Sequence, residues 1–78
     1  MSAASLHDIP LGSRCTITEI DHDFFAATTQ RRLAELGLRP GSAIIPLQRT
    51  SGNGRLISLG STHYALDKHS AQHIFVTV

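Results

Sequence analysis

Seventy-eight residues make one domain, near the lower size at which a chain folds without disulfides or a structural metal. Hydrophobic residues at 41 % suffice for one small core, aromatics at 5 % leave it aliphatic, and a formal charge of +1 from scattered arginines does not point to nucleic acid or an anionic membrane. No apolar run nears the ~20 residues of a spanning helix and the N-terminus lacks a signal-peptide pattern, so no membrane insertion and a cytoplasmic location are expected. Residues 1–4 are small and weakly patterned and are expected to be disordered, with the folded domain spanning 5–78. Ser5 is placed to cap a short turn with Leu6 and Ile9 pointing inward, before Pro10 and Gly12 break it. Ser13 to Ile20 is a β-branched strand with Cys15 and Ile17 on one face. Ile20 falls out of that phase, which predicts a bulge near Thr18 or Glu19. Cys15 is the only cysteine, so no internal disulfide or zinc-ribbon spacing exists, and it reads as a small core residue.

Asp21-His22-Asp23 is a polar turn, and the stripe Phe25, Thr29, Leu33, Leu36 predicts a helix from Ala26 or Ala27 to Leu36. Gly37 follows where a helix end needs a left-handed residue, which glycine adopts at least cost. With Gly37 at C′, Leu38 becomes C″ and Leu33 becomes C3, the apolar pair of a Schellman stop. Arg39-Pro40-Gly41-Ser42 fits a type II turn, with Pro at the second position and Gly at the third. Ala43 to Thr50 leaves as a strand, and Ser51-Gly52-Asn53-Gly54 is the strongest hairpin signal, leading into Arg55 to Leu59. Gly60-Ser61 makes a tighter turn into Thr62 to Leu66. Asp67 caps a short helix, with Leu66 and Ala71 at the hydrophobic-staple positions, and Ile74 to Val78 is a closing strand. The elements make a mainly β domain: a small SH3-like barrel of about five strands, with one inserted helix and a short C-terminal helix. Closure of the barrel is expected because it removes exposed sheet edges.

The segment Arg32, Leu33, Leu36, Gly37, Leu38, Pro40, Gly41 carries the pattern R-L-x-x-L-G-L-x-P-G and resembles the FeoA family of ferrous-iron transport proteins. The likeness extends to the leucine-containing turn before Gly12 and to the strand, short helix and last strand from Gly60 to Val78. Two positions depart from the family pattern. Leu66-Asp67 stands where Leu-Arg is usual, and Ser51-Gly52-Asn53-Gly54 replaces a Pro-rich or Asp-containing turn. The resemblance implies a cytoplasmic accessory of bacterial ferrous-iron uptake that regulates the FeoB membrane transporter and G protein by protein–protein contact. Interface candidates are Arg31, Arg32, Leu36, Arg39 and Arg49, while Leu33, Gly37, Leu38, Pro40 and Gly41 are the structural motif.

No catalytic constellation assembles. Ser-His-Asp order, a P-loop, GxGxxG and H-E-x-x-H are all missing, and so small a domain leaves little room for a pocket of ~300 Å³. The chain is not expected to be an enzyme or to carry a resident cofactor. Five histidines raise a metal alternative, with Fe²⁺ or Zn²⁺ held by His69 and His73, four apart on the last helix, and by His63 one strand earlier. Glu19, Asp21, His22 and Asp23 form a second acidic cluster without the glycine and distal glutamate of a calcium loop. Solvated surface histidines are the preferred reading of the first set, and an acidic turn between strand and helix that of the second. A further alternative is an SH3-like regulatory or metal-sensing module of the kind attached to metal-dependent repressors, although nothing in the sequence forms a helix-turn-helix to contact DNA.

Overall fold

The computed structural model describes residues 4–78. Six strands, β1 (Ala4–Ser5), β2 (Cys15–Ile20), β3 (Ala43–Thr50), β4 (Gly54–Leu59), β5 (Thr62–Leu66) and β6 (Ile74–Thr77), form one antiparallel sheet in the order β1-β6-β2-β3-β4-β5. Helices α1 (Ala27–Glu35) and α2 (Lys68–Gln72) interrupt it, and 3₁₀ turns occupy Leu6–Asp8 and Ser51–Asn53. β3 belongs to both halves of the sheet. Its first residues, Ala43 and Ile44, pair with β2, and Ile45 to Thr50 pair with β4. A register shift between Pro46 and Gln48 bends the strand, and the bulge accommodates a proline that has no N–H for the ladder.

The core is aliphatic. Cys15, Ile17 and Ile20 of β2, Ile44, Ile57, Ile74 and Val76 face inward, and Leu6, Phe25, Leu33, Leu38 and Ala71 seal the ends. The bulge foreseen in the second strand is there: Ile17 pairs with Val76 and Glu19 with Phe75, which leaves Thr18 out of the ladder. Its hydroxyl instead donates to the Phe75 carbonyl.

Three expectations need correction. The sheet does not close: β1 and β5 stand at its ends, so two edges remain. Ala4 is not disordered, because Ala4 and Ser5 pair with Val76 and Phe75 as a sixth strand; residues 1–3 lie outside the described residues. Ser5 makes no side-chain cap to the following turn and donates its hydroxyl to Asp8. Asp67 does cap α2, accepting from the Ser70 N–H at 2.6 Å.

Arg55 is a feature that composition conceals. It is 5 % exposed and bonds only to carbonyl-type oxygens. One terminal nitrogen donates to the Asn53 carbonyl (3.1 Å), Asn53 Oδ1 (3.2 Å) and the Gly54 carbonyl (2.9 Å). The other donates to the His7 carbonyl (3.2 Å), and Nε has no partner. The side chain thereby ties the β3–β4 hairpin to the N-terminal turn.

Candidate docking site at the end of the long helix

The segment from α1 to β3 is positioned chiefly by backbone hydrogen bonds. Leu38 N–H donates to the Leu33 carbonyl (2.8 Å) and Gly37 N–H to the Ala34 carbonyl (3.0 Å), the two bonds of a Schellman stop. Gly37 has φ +97°, and a Cβ there would lie 2.8 Å from Leu59 Cδ2. Ser42 N–H closes the turn onto the Arg39 carbonyl (3.0 Å), with Gly41 at φ +96°. The turn is then stitched to β2, since Gly41 N–H donates to the Ile17 carbonyl and Ile17 N–H to the Ser42 carbonyl. Tyr64 Oη donates to the Leu36 carbonyl from β5 (3.3 Å).

This scaffold presents a short apolar and cationic surface. Of the stripe Phe25, Thr29, Leu33, Leu36, only Phe25 and Leu33 are buried; Thr29 and Leu36 face solvent. The inward side of α1 is instead the narrower Gln30, Leu33, Ala34 row. Leu36 is 41 % exposed, and Arg31, Arg32 and Arg39, which flank it in the chain, are exposed too. None of these arginines forms an ion pair among the described residues, where the single pair is His7 with Asp8 at 3.9 Å. Arg49 does not join them. It pairs with Arg55 at the opposite end of β4 from Leu59, which abuts Gly37, an offset of about 13 Å at ~3.3 Å per residue.

Beside the helix end lies a cleft of about 350 Å³, larger than the sequence reading allows for. Its floor includes Ile20, Ala34, Leu38 and Pro40, and its rim Glu19, His22, Gln30 and Arg39. It opens where β2 runs past the start of β3, whose pairing with β2 covers only Cys15 and Thr16. The rim is ordered by two hydrogen bonds: Gln30 Nε2 donates to the Phe25 carbonyl (2.7 Å), and Gln30 Oε1 lies 2.6 Å from His22 Nδ1. The Gln30 amide oxygen can only accept, so His22 Nδ1 is the donor of that bond. Short-range periodicity does not reveal this cleft, because it is made by a strand, a helix and a turn meeting.

The histidine set is dispersed. His63 is exposed on β5; His73 directs Nδ1 to the His69 carbonyl (2.8 Å) and stacks its ring on Phe24 at 3.9 Å. Among the described residues no three His, Cys, Asp or Glu side chains are grouped to hold a metal ion, and this covers the Glu19–Asp23 cluster as well. Cys15 is buried, its thiol donates to the Ile44 carbonyl (3.6 Å), and burial pushes its pKa up.

A family model for the FeoA domain matches residues 4–78. No curated protein matches the chain. Among solved structures, the zinc-complexed FeoA of Stenotrophomonas maltophilia is 25 % identical with a TM-score of 0.79, over 96 % of this chain and 91 % of that one. That protein is described as a prokaryotic SH3 domain protein proposed to activate bacterial ferrous iron transport. The FeoA protein of Chlorobium tepidum shares the fold at 21 % identity and a TM-score of 0.83, over 95 % of this chain and 69 % of that one. A manganese-dependent transcriptional repressor is 25 % identical with a TM-score of 0.80, over 96 % of this chain but 41 % of that one. The SH3-like fold expected from the strand pattern is thus shown, with an open sheet.

Proposed function

Because the chain belongs to the FeoA domain family, we propose that it is a cytoplasmic accessory of ferrous-iron uptake that regulates FeoB by direct contact, without chemistry of its own. The observation that carries this reading is the exposed end of α1. Leu36, an apolar side chain at a helix terminus, is flanked in the chain by three arginines that have no carboxylate partner. A half-exposed leucine with exposed, unpaired arginines near it in the chain suits a protein surface that offers an apolar socket with acidic groups at its margin. The helix end is pinned by the Schellman bonds and by the stitching of Gly41 and Ser42 to Ile17, so little order is lost when a partner docks. Arg49 is too far along the sheet to share that footprint and is assigned to a second contact or to none.

The test is an NMR titration of the labelled chain with the cytoplasmic G-protein domain of FeoB. Shifts gathered at Arg31, Arg32, Leu36 and Arg39 are expected. A flat titration at high concentration overturns the contact with that domain, and Leu36→Asp leaving both folding and iron transport intact overturns the patch.

A second reading is supported by the likeness to the manganese-dependent repressors: a regulatory module appended to a sensor. In this chain α1 and α2 are separated by three strands and form no helix-turn-helix among the described residues. The readings separate on a simple measurement, since a metal sensor binds Fe²⁺ or Mn²⁺ stoichiometrically in calorimetry and the accessory does not need to.

A further inference from the structure

The side chains of His7, Asn53 and Arg55 meet where the N-terminal turn passes the tip of the β3–β4 hairpin. Asn53 is the only non-glycine residue with positive φ among the described residues (+63°), a conformation unfavourable for a residue with a Cβ unless something holds it. Its own amide does so. Asn53 Oδ1 accepts from Arg55 Nη1 at 3.2 Å, and Nδ2 lies 3.3 Å from His7 Nε2. Charge forces this orientation. A guanidinium only donates and keeps its proton, so the amide turns its oxygen to Arg55 and its NH2 to His7. His7 Nε2 therefore accepts, and the ring proton sits on Nδ1, 3.9 Å from Asp8 Oδ1. The His7 side chain is only 15 % exposed, so water does not readily take the place of Asn53.

We propose that these three residues form a proton-sensitive latch: neutral His7 holds the Asn53 amide, and with it the Ser51–Asn53 loop, against the N-terminal turn, and a proton taken at Nε2 releases the loop. A protonated ring has a donor at each nitrogen, so Nε2–H then faces the NH2 of Asn53 and the bond is lost. Turning the amide over does not restore order, because it sets the NH2 against the Arg55 guanidinium. The other charges nearby do not compensate. The Asp8 side chain is 75 % exposed and one of its oxygens already accepts from Ser5 Oγ (3.1 Å), so water screens its attraction for a charged ring. Arg55 adds a like charge from the hairpin. On α2, which packs on the turn, Lys68 and His69 are exposed and make no bond to His7, and Asp67 is committed to the Ser70 N–H. β1 and β6 carry no titratable side chain. Arg55 Nη2 keeps its bond to the His7 carbonyl in either state, so the loop tip is freed while the turn stays docked. The latch lies at the end of β4 away from Leu59 and the α1 docking site, so it stands or fails separately from the FeoB contact.

The test is NMR on the full chain between about pH 8 and pH 5, the range in which histidine side chains ordinarily change charge. Long-range correlation of the imidazole nitrogens is expected to place the His7 proton on Nδ1 at the upper end. As His7 takes its second proton, the order parameters of the Gly52 and Asn53 amides are expected to fall from about 0.85 to below about 0.6, in step with the His7 ring shifts. Because the chain holds five histidines, His7→Gln supplies the control. Its amide oxygen accepts from Asn53 and does not titrate, so the loop is expected to stay ordered at both ends of the range. Asn53→Gly adopts the same backbone without strain and removes the latch, so its loop is expected to show no pH-dependent step. If His7→Gln does not fold, Asn53→Gly and the unaltered chain decide. A His7 proton on Nε2 at the upper end overturns the proposal, as does a loop whose order is unchanged when His7 is charged. A step that persists in either folded variant overturns it too, since another group then drives the change.

Discussion

Replacing Arg55 with Met keeps an unbranched apolar stem in the same space and removes every donor. Arg55 is 5 % exposed, and no carboxylate lies within ion-pair distance of it among the described residues. Its burial therefore rests on four contacts to neutral oxygens, between 2.9 and 3.2 Å. Two opposing terms decide the outcome. Burying an unpaired charge costs several kcal/mol, which Met relieves, whereas each hydrogen bond to a charged group contributes about 1.5–3 kcal/mol. After substitution, oxygens of Asn53 and His7 can turn to water, because those residues are exposed and half-buried; the Gly54 carbonyl sits in a buried residue. The hairpin also loses the clamp across two successive left-handed residues, Gly52 at φ +73° and Asn53 at φ +63°. The bonds outweigh the relief, and Arg55→Met is expected to lose about 2 kcal/mol, most of it the desolvation of one orphaned carbonyl plus fraying of the loop. For a domain of this size that lowers Tm by roughly 8–16 °C. Thermal and urea unfolding followed by circular dichroism measure it directly. A Met variant as stable as the parent, or more so, refutes the reasoning and makes the buried charge a net cost.

Gly37→Ala and Gly41→Ala form a matched pair, since both glycines have φ near +97° but only the first meets Leu59. Each substitution is expected to lose about 1–2 kcal/mol from the backbone, with Gly37→Ala about 1 kcal/mol worse from crowding, by urea denaturation; equal losses remove the Leu59 contact from the account. Asp67 has its carboxyl pKa held below the usual range, chiefly by the Ser70 N–H bond, so its cap contributes fully above the unfolded-state pKa and is lost as pH falls through the folded one. Asp67→Ala is therefore less stable than the parent at neutral pH, and the two curves converge in acid below the ordinary carboxylate range; a constant gap at every pH tells against the cap. Cys15, buried and with its pKa raised, is expected to resist thiol-reactive dye in the native chain and to react at the rate of unfolding; rapid native labelling contradicts its burial.

What could be read in advance was what neighbours along the chain determine. The Leu33 to Leu38 stop, the turn at Pro40 and Gly41, the Asp67 cap and the bulge at Thr18 each follow from a few adjacent residues and one backbone demand. The rest depends on what arrives from elsewhere in the chain. Leu36 has the spacing of a core residue, but α1 meets the sheet over too narrow a strip to cover it. Arg55 has the period-two signature of the Ile57 face, which was the available signal for its burial, although its oxygens come from His7 and Asn53. The cleft, the two-residue strand at Ala4 and the open edge at β5 are products of topology, and no local pattern encodes them.

The place of β6 between β1 and β2 has a consequence for how the molecule is made. Val76 pairs with both Ala4 and Ile17, so one half of the sheet is held together by a strand from the far end of the sequence. In a chain synthesised from its N-terminus, β2 keeps a bare side until residues 74–77 have been added, while β3, β4 and β5 can already zip through successive hairpins. The nascent chain thus passes through a stage with half a sheet and an uncovered apolar row at Cys15 and Ile17. Completion waits on a long-range closure, the slow kind of contact to form. A strand of four residues is in this sense the keystone that ends the period of vulnerability to aggregation.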